Sequence, residues 1–155
     1  MKLLVVSDTH GEARRLNFLF DVPSFTHVLF LGDGWRDAES LRYAFPTQFA
    51  AVRGNCDSDC DWNEDYTFTA GTVRVFMTHG HRYGVKYGLE TLAAAAKATG
   101  ASIALYGHTH RADVRYVDGV LCINPGHVCY PHNTATYCVI DIEGDNISPK
   151  IIKIE

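Results

Sequence analysis

The sequence predicts one mixed α/β domain made of two packed β-sheets flanked by helices. Three observations carry this prediction. Strand and helix signals alternate from Leu3 to Val52, hairpin signals dominate the remainder, and short polar clusters follow the apolar runs.

Leu3 to Val6 is a continuous apolar run, the pattern of a strand buried on both faces. Past Gly11, the residues Ala13, Leu16, Leu19 and Phe20 fall at helical spacing. His27 to Leu31 is a second apolar run, and Ala38, Leu41, Ala44 and Phe45 form another helical stripe. Pro46 ends that stripe because its ring cannot continue a helix, and Gln48 to Val52 make a third strand. This β-α-β-α-β order implies parallel strands joined by right-handed crossovers, with functional loops at the strand carboxyl ends.

Tyr66 to Thr69 and Val73 to Met77 flank Ala70-Gly71-Thr72 as a hairpin. An Ala-rich helix is predicted from about Val85 to Ala98, stopped at Gly100, and a strand follows from Ser102 to Leu105. Val114 to Val117 and Val120 to Ile123 are joined by Asp118-Gly119, a two-residue hairpin signal. Thr136 to Ile142 and Asn146 to Ile154 are joined through Glu143-Gly144-Asp145.

A chain of 155 residues without repeat or linker is expected to form a single domain over 1–155. With 46% hydrophobic and 21% charged residues it has a soluble globular composition. No apolar run approaches the ~20 residues of a membrane helix. Met1 to Val6 meets polar Ser7-Asp8, so it reads as a buried strand and not as a signal peptide. Five cysteines, an odd number without framework spacing, predict reduced thiols and a cytoplasmic setting. The net charge of −4 argues against nucleic acid or an anionic membrane as the general partner, without excluding a nuclease. An anionic substrate must therefore be held locally. Self-association of the chain is left open.

Five clusters each follow a predicted strand: Ser7-Asp8-Thr9-His10-Gly11, Gly32-Asp33-Gly34, Gly54-Asn55-Cys56-Asp57, Thr78-His79-Gly80-His81 and Gly107-His108-Thr109-His110. Each alone has an ordinary explanation. Gly-Asp-Gly and Gly-Asn are common turn chemistry, and a single loop histidine is more often hydrogen-bonded than metal-bound. Their conjunction at strand ends, which converge in one sheet, points to a site. Imidazoles combined with carboxylate and amide oxygens suit Mn²⁺, Ni²⁺, Fe²⁺ or Zn²⁺, with Mg²⁺ as a further option. Thiolate is not required.

In these clusters, in Tyr83-Gly84-Val85 and in Asn124-Pro125-Gly126, the sequence resembles the calcineurin-like metallophosphoesterase superfamily, specifically its small uncapped phosphodiesterase members. The resemblance spans essentially the whole chain and implies a four-layer α/β sandwich. It also implies hydrolysis of a small phosphate ester on two divalent ions, with Mn²⁺ the leading candidate. One ion would be held by Asp8, His10, Asp33 and His110, and the other by Asp33, Asn55, His79 and His108. Asp33 would bridge them. Two ions ~3.5–4 Å apart can share a water, lower its pKa and present hydroxide to phosphorus. A bridging carboxylate offsets their repulsion, whereas neutral Asn55 adds an oxygen without charge. Arg36, Arg82 and Arg111 are candidates to orient the phosphate, against the plain alternative of solvated surface arginines.

The chain departs from the family at Cys56, where larger members carry a histidine that protonates the leaving group. A thiol of pKa near ~8.5 is a poor acid for that task, so diesters are expected over monoesters. His81 is the candidate replacement. His127 and His132 stand where relatives often have Ser and Arg, and His127 is a candidate for setting substrate choice. Two readings compete: a monoesterase or nuclease on the same centre, and a protein-binding scaffold like the retromer subunit that shares this fold and has an eroded metal site. Ligand completeness discriminates, and all the implied ligand positions are filled here.

Overall fold

The parity of apolar residues along the strands sets the architecture of the computed structural model, which describes residues 1–155. The strands are β1 (Lys2–Val6), β2 (His27–Phe30), β3 (Phe49–Ala51), β4 (Asp65–Ala70), β5 (Val73–Thr78), β6 (Ile103–Leu105), β7 (Asp113–Val117), β8 (Val120–Asn124), β9 (Thr136–Glu143) and β10 (Asn146–Lys153). Two α-helices, α1 (Trp35–Ala44) and α2 (Glu90–Ala98), are supplemented by short 3₁₀ turns. The strands form two five-stranded sheets, ordered β10-β9-β1-β2-β3 and β4-β5-β6-β8-β7. In the first, β1, β2 and β3 run parallel and β9 pairs antiparallel with β1. In the second, β5, β6 and β8 run parallel. The predicted two-sheet α/β class is the one observed.

Side chains of a strand alternate between its faces. Leu3 and Val5 of β1 therefore join Leu29, Val75, Met77, Ile103, Leu105 and Ile123 in a core between the sheets. Leu4 and Val6 turn outward to Val28, Phe30, Leu16, Leu19, Ala38 and Leu41. On the far side, Phe76, Ala104 and Cys122 meet Leu89, Leu92, Ala93 and Ala96. These three cores bind four layers, helix, sheet, sheet and helix. Each fully buried Leu or Phe contributes roughly 1.5–3 kcal/mol by leaving water.

Two helices differ from their sequence patterns. Ala13–Asp21 is 3₁₀ rather than α, and its buried residues, Leu16 and Leu19, lie three apart and so stack along one line. The Ala-rich helix begins at Glu90 instead of near Val85. Gly84 at φ 59° and Gly88 at φ 152° break the chain there, although Val85 and Leu89 are still buried. All five cysteines are free thiols. No helix is long and apolar enough to cross a membrane.

Candidate metal centre

Parallel strands in each sheet bring their carboxyl ends to one edge, and the polar clusters occupy it. Asp8 follows β1, Asp33 follows β2, His79 follows β5, and His108 and His110 follow β6. The loops are stitched to one another. The backbone N–H groups of Thr9 and His10 both donate to the Asp33 carbonyl, each at 3.1 Å. The Gly107 N–H donates to the His79 carbonyl at 2.9 Å, and the His108 N–H donates to Asp8 Oδ2 at 3.2 Å.

The result is two adjoining donor groups. The coordinating atoms of Asp8, His10 and His110 lie within 4.8 Å of one another, as do those of Asp33, His79 and His108. The groups interlock. His10 Nε2 is 3.6 Å from both Asp8 Oδ1 and Asp33 Oδ2, and His110 Nε2 is 3.2 Å from Asp8 Oδ1. Asn55 is exposed on the loop after β3, where the next backbone N–H, that of Cys56, donates to Asp33 Oδ1 at 2.9 Å.

Backbone strain is concentrated at these positions. Asp8, His10, Asp33, His108 and His110 all have φ between 43° and 72°. Left-handed backbone at non-glycine residues costs roughly 1–3 kcal/mol each and persists only where the surroundings enforce it. Buried Asp57 supplies much of that enforcement. Its Oδ2 accepts from the N–H groups of Asp33 (2.8 Å) and Gly54 (2.7 Å), and its Oδ1 from those of Gly34 (2.8 Å) and Trp35 (3.1 Å). Asp37 Oδ2 accepts from Thr9 Oγ1 at 2.5 Å and the Gly11 N–H at 2.8 Å. Asn124 Nδ2 donates to the Gly107 carbonyl at 3.1 Å and to Thr109 Oγ1 at 2.9 Å. Close packing adds a glycine requirement at Gly54, where a Cβ would meet the Asp33 nitrogen at 2.7 Å.

Electrostatics leave an opening for cations. His79 Nδ1 lies 2.7 Å from the Leu31 carbonyl. A carbonyl only accepts, so Nδ1 carries the proton and a neutral ring presents its Nε2 lone pair. That lone pair faces Asp33 Oδ2 at 3.1 Å, acceptor against acceptor. His79 Nε2 and Asp8 Oδ1 are both buried without a hydrogen-bond partner. A cation between them resolves both orphans, so the donors present fit divalent ions. Without a cation the same Nε2 attracts a proton instead: burial opposes charging of His79, but a hydrogen bond from protonated Nε2 to Asp33 and the charges of Asp8 and Asp33 outweigh it and raise the pKa, so an ion bound there displaces that proton and leaves the ring neutral. Burial likewise opposes ionisation of Asp8, yet His10, His110, His79 and Ser7 hold its carboxyl below the usual range. His108 is pushed down to about 4 by burial and the positive charges of His79 and Lys86, so it is neutral and able to ligate at pH 7.

The other predicted residues are placed variously. Arg36 sits over the Trp35 ring, 4.7 Å from its centroid, and lines a cavity of about 270 Å³ with His10, Asp33 and Cys56. Arg111 borders a second cavity. Arg82 is held by Glu64 at 3.0 Å and Asp65 at 3.5 Å. His81 has its ring centroid 5.6 Å from that of His79, and its Nδ1 is buried without a partner. His127 is 2% exposed, stacks under His110 at 5.5 Å and lies 2.8 Å from Thr134 Oγ1 through Nε2. The sequence reading assigned no role to Asp57, Asp37 or Asn124. Only Asp57 had a local signal, an aspartate three residues beyond a turn glycine.

Residues 1–145 match a family model described as the calcineurin-like phosphoesterase superfamily domain. The chain is 31% identical over 147 residues to the probable metallophosphoesterase YsnB of Bacillus subtilis, covering 94% of this chain and 86% of that one. It is 31% identical over 172 residues to the phosphodiesterase YfcE of Escherichia coli, covering 91% and 88%. A predicted phosphoesterase from Streptococcus pneumoniae superposes with a TM-score of 0.81 at 25% identity, covering 98% and 88%. Vps29 of Chaetomium thermophilum shares the fold, with a TM-score of 0.78 at 17% identity over 98% and 95%.

Proposed function

The chain belongs to the calcineurin-like phosphoesterase superfamily, and from that premise we propose that it is a dinuclear metal-dependent phosphodiesterase acting on small diesters. The observation that supports the reading is the pair of buried orphans, Asp8 Oδ1 and His79 Nε2, beside two adjoining groups of carboxylate and imidazole donors. Asp8, His10, Asp33 and His110 would hold one ion, and Asp33, Asn55, His79 and His108 the other. Such a pair of ions supplies Lewis acidity, lowering the pKa of a water and offsetting charge on the phosphoryl oxygens. Oxygen and imidazole donors suit Mn²⁺, the ion proposed here, as they suit other first-row divalent ions.

The protein groups do the positioning. The Leu31 carbonyl fixes the His79 tautomer and aims Nε2 at Asp33. His127, buried and stacked on His110, would help to keep that ring in place. Arg36, beside His10 and Asp33, is the arginine best placed to bind a phosphoryl oxygen. Neither candidate acid is well set: one is made weaker and the other less often protonated. Burial, then Asp33, raises the Cys56 thiol pKa. Burial and the His79 charge lower that of His81. This supports a diester, whose single charge and good leaving group ask little of an acid. A protein-binding scaffold, the reading that the Vps29 likeness invites, has no need of two adjoining donor groups in which five residues hold left-handed backbone.

Chelation is expected to abolish hydrolysis of bis(p-nitrophenyl) phosphate and added Mn²⁺ to restore it, with metal affinity falling as pH falls because protons compete for His79. Full activity in rigorously metal-free protein would reject the proposal. Cys56→His is expected to raise monoester relative to diester kcat/KM by ~10-fold or more, within the usual range of general-acid effects. Both substrates are to be assayed in both proteins at equal metal occupancy. A wild-type preference for alkyl monoesters that the substitution leaves alone means that another group delivers the proton.

A further inference from the structure

The ligand loops are bordered by two cavities. The smaller, with Arg36 and Cys56, lies among the loops of the first sheet. The larger, about 490 Å³, lies on the second, and Lys86, Thr109, Arg111, Asp113 and Arg115 form its polar wall. Thr109 and Arg111 flank the donors His108 and His110 in the chain, so the loop that carries those donors also forms part of this cavity's wall.

Its charge is unbalanced. Of three cations, Arg115 is paired with Asp113 at 3.0 Å, and the same Asp113 oxygen accepts from the Tyr106 hydroxyl at 3.3 Å. Lys86 and Arg111 have no carboxylate partner. Two uncompensated cations sharing one concave wall, in a chain of net charge −4, concentrate positive potential there. Arg111 is fixed at its base, where its N–H donates to Thr109 Oγ1 at 3.2 Å.

A diester has two arms, and the two cavities border different donor loops, one after β2 and one after β6. We propose that the Lys86–Arg111 cavity is an anion subsite, so that the substrate is a small phosphodiester carrying a second phosphate on one arm. The assignment of substrate class rests on the phosphodiesterase reading above; the anion subsite itself does not.

The test has two arms. Metal-free, ¹⁵N-labelled protein is titrated with inorganic pyrophosphate. Amide shifts are expected at Lys86, Thr109, Arg111 and Arg115, with affinity about 10-fold weaker in Lys86→Gln, the usual loss for one charge-assisted contact. Mn²⁺-loaded protein is then assayed for nitrophenol release from methyl p-nitrophenyl phosphate and 2-phosphoethyl p-nitrophenyl phosphate. The phosphate-bearing diester is expected to have the higher kcat/KM, and that preference to fall about 10-fold in Lys86→Gln, mainly through KM. Turnover of both diesters at equal kcat/KM, or equal pyrophosphate affinity in both proteins, overturns the subsite and leaves the phosphodiesterase reading standing. Pyrophosphate bound at Lys86 without turnover of either diester overturns the phosphodiesterase reading, and with it the substrate class, and supports the anion subsite alone.

Discussion

Asp33→Asn is expected to lower kcat/KM for a diester by more than about 100-fold. Loss of a group that merely supports a ligand costs 10–100-fold, and Asp33 would be a ligand shared by both ions. Its Oδ2 faces His79 Nε2 at 3.1 Å and His10 Nε2 at 3.6 Å, while Oδ1 accepts from the Cys56 N–H at 2.9 Å. Asparagine keeps the shape and can still accept from Cys56. It removes the charge, and its amide can donate to the His79 lone pair, filling without metal the gap that a cation would fill. The substituted protein should therefore melt no lower than wild type when metal-free, yet retain less metal after dialysis. Elemental analysis, a thermal melt and steady-state kinetics on the same sample separate these effects. A folded variant with normal metal load and unchanged turnover would show that Asp33 does not bridge.

Asp57→Ala should be the most damaging substitution for stability outside the apolar cores. It strips four backbone N–H groups of their acceptor, those of Asp33, Gly34, Trp35 and Gly54. A buried donor left unpaired costs ~1–3 kcal/mol, and partial access of water at this loop limits the sum to about 3–5 kcal/mol. For a domain of this size each kcal/mol moves Tm by ~2–4 °C, so a drop of roughly 10 °C is expected. Activity should fall as well, because Asp33 holds φ 62° only while its neighbours are pinned. Asp57→Asn retains one acceptor oxygen and should lie between the two proteins. A melt within a degree or so of wild type for Asp57→Ala would show that water replaces the carboxylate without cost.

The proposed ligands and Asp57 mark the boundary of what sequence can say. Asp8, Asp33, Asn55, His79, His108 and His110 can be proposed from sequence because each lies within five residues of a strand end, and the carboxyl ends of parallel strands lie along one edge of their sheet. The alternation of Leu3 and Val5 with Leu4 and Val6 was enough to require two covered faces. The early start predicted for the Ala-rich helix failed for a local reason that composition hides, since Gly84 and Gly88 take backbone angles no helix contains.

The remainder was decided in three dimensions. Nothing in the chain near Asp57 announces that its carboxylate will collect N–H groups as far away as Asp33, 24 residues back. Arg82 and Arg111 look equivalent in the sequence, and only packing gives one to Glu64 and Asp65 and opens the other to a cavity. His127, a candidate for touching substrate, lies beneath His110. Hydrophobic period and glycine placement are local and survive in one dimension, so the layers and the donor loops can be read from the chain alone. Hydrogen-bond partners and charge neighbours are chosen by proximity across strands, and only the tertiary structure could decide which groups hold the site, which are neutralised and which are left free to bind.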